Sequence, residues 1–134
     1  MTQPLIARKG TFFWLTGPVD HLHIIVNNPV FCPEAGHEVV VAVNITSMTA
    51  RHDPACVLEA GCHSFITHQS YVFYRDASTF SATKLATGVA SGEIRTHDAV
   101  DETLYERILE GFTTSEFVKP RIKRFLRNHA KLID

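Results

Sequence analysis

The segment Glu38–Thr46 constrains this chain more than any other stretch. Val39, Val41, Val43 and Ile45 alternate with their neighbours, so all four share one face of an extended backbone. Their β-branched side chains are stiff at χ1 and suit a pleated surface, which predicts a strand packed on at least one side. Such a strand needs partners, and the flanking sequence offers them. Phe12–Thr16 is aromatic and β-prone and is broken by Gly17-Pro18, while His21–Val26 is stopped by Asn27-Asn28-Pro29. Cys56–Glu59 and Ser64–Tyr74 read as a hairpin around Ala60-Gly61. In its longer arm Phe65, Thr67, Gln69, Tyr71 and Phe73 alternate with Ile66, His68, Ser70, Val72 and Tyr74. Lys84–Ala86 reads as a last short strand.

After Gly88 and Gly92 the period changes. Asp101 can cap a helix that places Leu104, Tyr105, Ile108 and Leu109 on one side and ends at Gly111. Pro120 suits the first turn of a final helix with Ile122, Phe125, Leu126 and His129 on one stripe. Strands first and helices last predict a mainly β or α+β fold, a small antiparallel β-barrel with C-terminal helices. A chain of 134 residues, 45% hydrophobic, can bury one core without disulfides or a structural metal. The expectation is a single domain over residues 1–134, with the β core at about 8–90 and the helical part at about 101–132.

No apolar run approaches the roughly 20 residues that a membrane helix requires. The opening MTQPLIARKG has neither the apolar stretch nor the cleavage site of a secretory signal, so the expected location is cytoplasmic, with no membrane partner. Three cysteines, Cys32, Cys56 and Cys62, without CxxC spacing do not make a disulfide framework. Cys56 and Cys62 could be two metal ligands, but the second close-spaced pair usual in structural zinc sites is missing, and buried free thiols are favoured. No metal and no cofactor are expected.

Net charge is −1, but its distribution is uneven. Acidic residues dominate Asp98–Glu116, and Lys119, Arg121, Lys123, Arg124, Arg127 and Lys131 follow with no acid between them. Such a block is either a phosphate-binding strip or, more commonly, the solvated face of a helix.

Eight histidines are a high count for this length. His21 and His23, two apart on a strand, share a face and form either a metal pair, a catalytic pair or a solvent-facing pair. His63 and His68, five apart, fall on opposite faces unless a bulge intervenes. Thr46-Ser47 ends the central strand with two hydroxyls, where sites often lie, though such residues also satisfy turn backbone. No Walker A motif, GxSxG elbow or HExxH is present.

In order and spacing these segments resemble the MazF/PemK (Kid) family of toxin endoribonucleases, which are small SH3-like barrels. Arg8-Lys9-Gly10 before Phe13-Trp14-Leu15 is similar to the family's opening RxGxxWxV strand, and His21–Asn27 to its RPVLIVS strand. Val39–Ser47 is similar to its central VVVxPVTS strand and His68-Gln69-Ser70-Tyr71 to its DQxR segment. Lys84–Val89 and the helix at Asp101–Leu109 are similar to its closing elements. The chain departs where His21 replaces the second strand's arginine and where His68 and Tyr71 replace the acid and arginine of DQxR. Thr46-Ser47 is kept.

The resemblance implies a metal-independent, toxin-like endoribonuclease acting on single-stranded RNA, with a homodimer and an antitoxin protein as partners. Imidazole, with a reference pKa near 6.5, can move protons in either direction near neutral pH. His21 and His68 are therefore the expected acid/base pair, with Thr46, Ser47 and Tyr71 holding the phosphate. His23, Gln69, Ser70 and Lys84 are expected to contact substrate. Two rivals stand beside this reading. One is an SH3-like barrel that binds protein or nucleic acid without catalysis, and the other is a metal protein using His21, His23 and another histidine.

Overall fold

The computed structural model describes residues 6–134, so the first five residues of the segment read for a secretory signal lie outside it. Seven strands form one antiparallel sheet: β1 (Thr11–Thr16), β2 (Val19–Ile25), β3 (Val30–Cys32), β4 (His37–Ser47), β5 (Val57–Leu58), β6 (Ser70–Ser81) and β7 (Thr96–His97). Their order is β5-β6-β4-β2-β1-β7, with β3 pairing the start of β4. The helices are α1 (Ala82–Ser91), α2 (Glu102–Thr114) and α3 (Pro120–Asn128). The fold is thus mainly β and antiparallel, a sheet curled into half a barrel and followed by helices. No helix of the described residues is long and apolar enough to cross a membrane.

The central strand organises both sides of the sheet. Val39, Val41, Val43 and Ile45 enter the main core with Leu22, Ile24, Val72 and Tyr74, where the apolar faces of α2 and α3 close over them. Val40 and Ala42 enter a second, smaller core with Phe12, Ile25, Ala82 and Leu85. Burial of each such aliphatic side chain contributes roughly 1.5–3 kcal/mol before ordering costs, so β4 anchors two layers at once. Where β2 ends, Asn27 continues the pairing with its side chain. Its Oδ1 accepts from Val41 N at 2.7 Å and its Nδ2 donates to Val39 O at 3.2 Å.

Three expectations are corrected. The hairpin read at Cys56–Glu59 and Ser64–Tyr74 is only Val57–Leu58 against Ser70–Tyr71, and residues 59–69 form a loop. That loop satisfies its backbone internally: Gly61 N donates to Ile66 O at 2.8 Å, and Ile66 N to His63 O at 2.9 Å. Lys84–Ala86 is not a strand but lies within α1, whose cap Ser81 accepts from Lys84 N at 3.2 Å. Gly92 ends this helix with φ 84°. Gly111 does not end α2, which runs on to Thr114 and turns Gly111 inward against Tyr74.

Strand β6 is longer than its alternation suggests. It pairs with β4 from Ser70 to Ser81 across a register shift: Asn44 opposes Phe73, but Ala42 opposes Ser78. The extra residues form a bulge that leaves Arg75 and Asp76 exposed while Tyr74 and Ala77 enter the core.

Candidate active site

The pairing of β2 with β4 covers only His23–Ile25 against Ala42–Asn44. Beyond it, Val19–Leu22 and Ile45–Ser47 continue without a shared ladder, and residues 65–68 of the long loop lie across the gap. A cavity of about 320 Å³ occupies this place, lined among others by Asp20, His21, Thr46, Ser47, His68 and Ser70. It sits at the ends of strands held by the core, where rigid scaffold meets open solvent.

His68 Nε2 lies 2.8 Å from Ser47 Oγ, joining residues on two different elements. Its Nδ1 faces Thr67 Oγ1 at 3.5 Å, so this nitrogen has only a marginal partner. The loop that presents His68 is pinned by His63. His63 Nε2 donates to Asp98 O at 2.8 Å, while its Nδ1 accepts from Phe65 N at 3.1 Å. Those two contacts define one neutral tautomer and tie the loop to the segment after β7.

His21 reaches the same cavity from the other side of the sheet. Its Nδ1 hydrogen-bonds Thr16 Oγ1 across the β1–β2 hairpin. Strand alternation places His21 with His23 on the Phe12 face, and Thr46, which opposes Tyr71, on that face too. Ser47 follows Ile45 onto the Leu22 face. The cavity opens where the sheet parts, so side chains from both faces border it.

Other residues singled out in the sequence lie elsewhere. Tyr71 is buried on the Phe12 face, its ring 5.8 Å from that of His52 and 6.1 Å from that of Phe73, and does not line the cavity. Gln69 donates from Nε2 to Glu59 Oε1 at 3.0 Å on the surface. Lys84 borders a separate cavity of about 450 Å³ with Trp14, His37 and Phe80. His23 is 2% exposed, stacked on Phe12 at 5.3 Å with Nδ1 2.9 Å from His21 O, which makes it a core residue. His63 and Thr67 were read from the sequence only as strand residues near His68, whereas the structure has them hold and flank its loop. Their roles depend on a loop whose closure joins residues far apart in the chain.

Burial lowers the His23 pKa from its ordinary value, desolvation being the main cause. The folded protein therefore keeps this imidazole neutral under conditions in which the unfolded chain takes up a proton. As pH falls below about 6.5, the unfolded state binds more protons and stability declines, by at most about 1.4 kcal/mol per pH unit for this one group. Between about pH 7.5 and 5.5 the urea midpoint of the wild type is expected to drop further than that of His23→Phe. Equal drops would remove His23 as the source of acid sensitivity.

The thiols of Cys56 and Cys62 are both pushed up by desolvation, which favours the protonated form and suits inert cysteines. Compared with known proteins, the chain matches no family model, no curated protein and no solved structure.

Proposed function

We propose that the protein is a toxin-like, metal-independent endoribonuclease acting on single-stranded RNA. The observation that carries this reading is the meeting of His68, Ser47, His21, Thr46 and Ser70 around one cavity at the strand ends. In the reaction, a ribose 2′-oxygen attacks the adjacent phosphorus as one imidazole takes its proton. The P–O5′ bond breaks and the other imidazole protonates the departing 5′-oxygen, leaving a 2′,3′-cyclic phosphate and a 5′-hydroxyl. The hydroxyls of Thr46 and Ser47 donate hydrogen bonds to the non-bridging oxygens as charge builds there, while Ser70 Oγ donates to His68 O at 3.0 Å and steadies the loop. Tyr71 has no part in this scheme, because it is buried away from the cavity.

Helix α3 buries Ile122, Phe125 and Leu126 and leaves Arg121, Arg124 and Arg127 exposed. These guanidiniums add a salt-dependent attraction for the RNA backbone. A homodimer and an antitoxin that covers the cavity complete the proposal, on the strength of the resemblance.

One observation favours a second reading. His21 stands on the Phe12 face of the sheet while His68, on the long loop, meets Ser47 on the Leu22 face, an arrangement less suited to two-sided proton transfer than to a binding module that has lost catalysis. Purified protein incubated with single-stranded RNA in chelator separates the two. Cleavage to 2′,3′-cyclic phosphate ends, with growth arrest on induction in bacteria, is expected of the nuclease. Intact RNA that is nevertheless bound would leave the binding module.

A further inference from the structure

Cys32 ends β3, Glu34 lies in the turn to β4, and His129 caps the C-terminus of α3. Cys32 and Glu34 are two residues apart, and His129 joins them from the far end of the described chain. Cys32 Sγ lies 3.2 Å from Glu34 Oε2, His129 Nε2 lies 3.3 Å from the same oxygen, and the three ligand atoms are all within 4.8 Å of one another. Among the described residues this is the group of three His, Cys, Asp or Glu side chains placed to hold an ion.

We propose that Cys32, Glu34 and His129 form a zinc site that clasps the C-terminal helix to the β3–β4 turn. The spacing fits the metal. Zinc bonds of about 2.3 Å to sulfur and 2.0–2.2 Å to nitrogen and oxygen, at tetrahedral angles, set ligand atoms roughly 3.3–3.6 Å apart. The 3.3 Å between His129 and Glu34 lies at the short end of that range and the 3.2 Å between Cys32 and Glu34 just below it, so these two pairs need only a slight spreading to take an ion.

The donor set also selects the ion. A thiolate with an imidazole and one carboxylate suits zinc and its cobalt substitute, and does not suit magnesium or calcium.

The backbone on either side is already anchored. Gly36 N and Ala35 N both donate to Cys32 O, at 2.8 and 3.1 Å, with Gly36 at φ 76° closing the turn. His129 N donates to Phe125 O at 3.0 Å, and its ring packs 5.7 Å from that of Phe125. Glu34 is exposed, which gives an ion a path of entry from solvent.

Three protein ligands leave a fourth position, and a cavity of about 330 Å³ adjoins it, lined also by Thr79, Arg121, Arg124 and Asn128. A dication bound to a thiolate and a carboxylate is neutral overall, so the two neighbouring guanidiniums do not oppose it. They favour water or a small anion as the fourth ligand. None of the three ligands lines the cavity proposed to bind RNA, so the zinc site stands independently of that function. It also uses neither the Cys56–Cys62 pair nor the His21–His23 pair considered from the sequence.

The test is titration of the untagged full chain with Co²⁺, followed by displacement with Zn²⁺. A 1:1 complex with a thiolate charge-transfer band and tetrahedral d–d bands is expected. Cys32→Ser should abolish the thiolate band, and His129→Ala should weaken binding beyond the roughly 10–100-fold lost with a merely supporting group. Cys56→Ser and Cys62→Ser should leave the spectrum unchanged. As a second measurement on the wild type, Zn²⁺ should protect Cys32, and neither of the other thiols, from alkylation. No thiolate band in the folded wild type, or a band that survives Cys32→Ser, would overturn the proposal.

Discussion

His68→Ala is expected to slow RNA cleavage by roughly 10²–10⁴-fold, the usual range for losing one general acid or base. Its fold should be preserved, because His68 lies on an exposed loop and its one close side-chain partner is Ser47. Ser47→Ala should give a smaller loss, since it removes one proposed phosphate donor and the restraint on the imidazole but no proton carrier. His21→Ala should match His68→Ala if the two act on one phosphate. The double variant should then fall little below either single one, as groups acting as a unit are not additive. The position of His21 makes this series informative. Cleavage that survives His68→Ala but is lost in His21→Ala would move the reacting centre to the Phe12 face, where Thr46 and Tyr71 also lie. Loss of neither would end the nuclease reading. Single-turnover kinetics on a labelled oligonucleotide supply the comparison, with circular dichroism as the check on folding.

Gly111→Ala should cause the largest stability loss among glycine-to-alanine changes in the described chain, about 3 kcal/mol or more. A Cβ at that position would overlap the hydroxyl and ring of Tyr74. Tyr74 cannot step aside, because it is fully buried, packs edge-to-face on Phe112 at 4.9 Å and donates to Ile108 O at 2.7 Å. Desolvation drives its phenol pKa far upward, so the hydroxyl remains a neutral donor at every accessible pH. The urea midpoint should fall accordingly, and a second change, Tyr74→Phe, should restore part of the loss by removing the oxygen that the methyl strikes. Tyr74→Phe alone should destabilise, by leaving Ile108 O without its partner. The two substitutions would then be coupled in the favourable direction. A Gly111→Ala protein as stable as the wild type would show that α2 can shift off β6.

The contrast between those positions explains what the sequence could reveal. Strong periodicity was readable: the valine alternation of β4, the Asp101 cap of α2 and Pro120 opening α3 all appear where the pattern places them. Short runs were not. Lys84–Ala86 carries too few residues to separate strand from helix, and only the Ser81 cap, three residues before Lys84, decides for α1. Gly111 looked like a helix end because glycine commonly ends helices. Its real constraint is steric and comes from Tyr74 on a distant strand. The site followed the same rule. Thr46-Ser47 was recognisable as a strand end, and the alternation correctly set Tyr71 and Phe73 opposite Ser70, Val72 and Tyr74, but it carried no sign that this face turns Tyr71 away from the cavity. The strand begins at Ser70, and the residues before it are held by the contacts of His63. No spacing in the sequence brings Cys32 to His129 either, because that meeting depends on how α3 lies against the β3–β4 turn.

Strand β1 completes its pairing late in synthesis. One edge is filled at once by β2, but the other waits for Thr96–His97, and Thr11 Oγ1 donates to Asp98 O. Val100 N likewise closes on Lys9 O, and Tyr105 donates to Val26 O across 79 residues. At about 5–20 residues per second, a nascent chain spends several seconds with an open apolar edge beside Phe12 and Phe13. Contacts of such long sequence separation also slow folding of the released chain, since loop-closure entropy is lost before the contacts form. Strand β1 is therefore open to misassociation during synthesis, and a chain stopped short of residue 96 would retain that open edge.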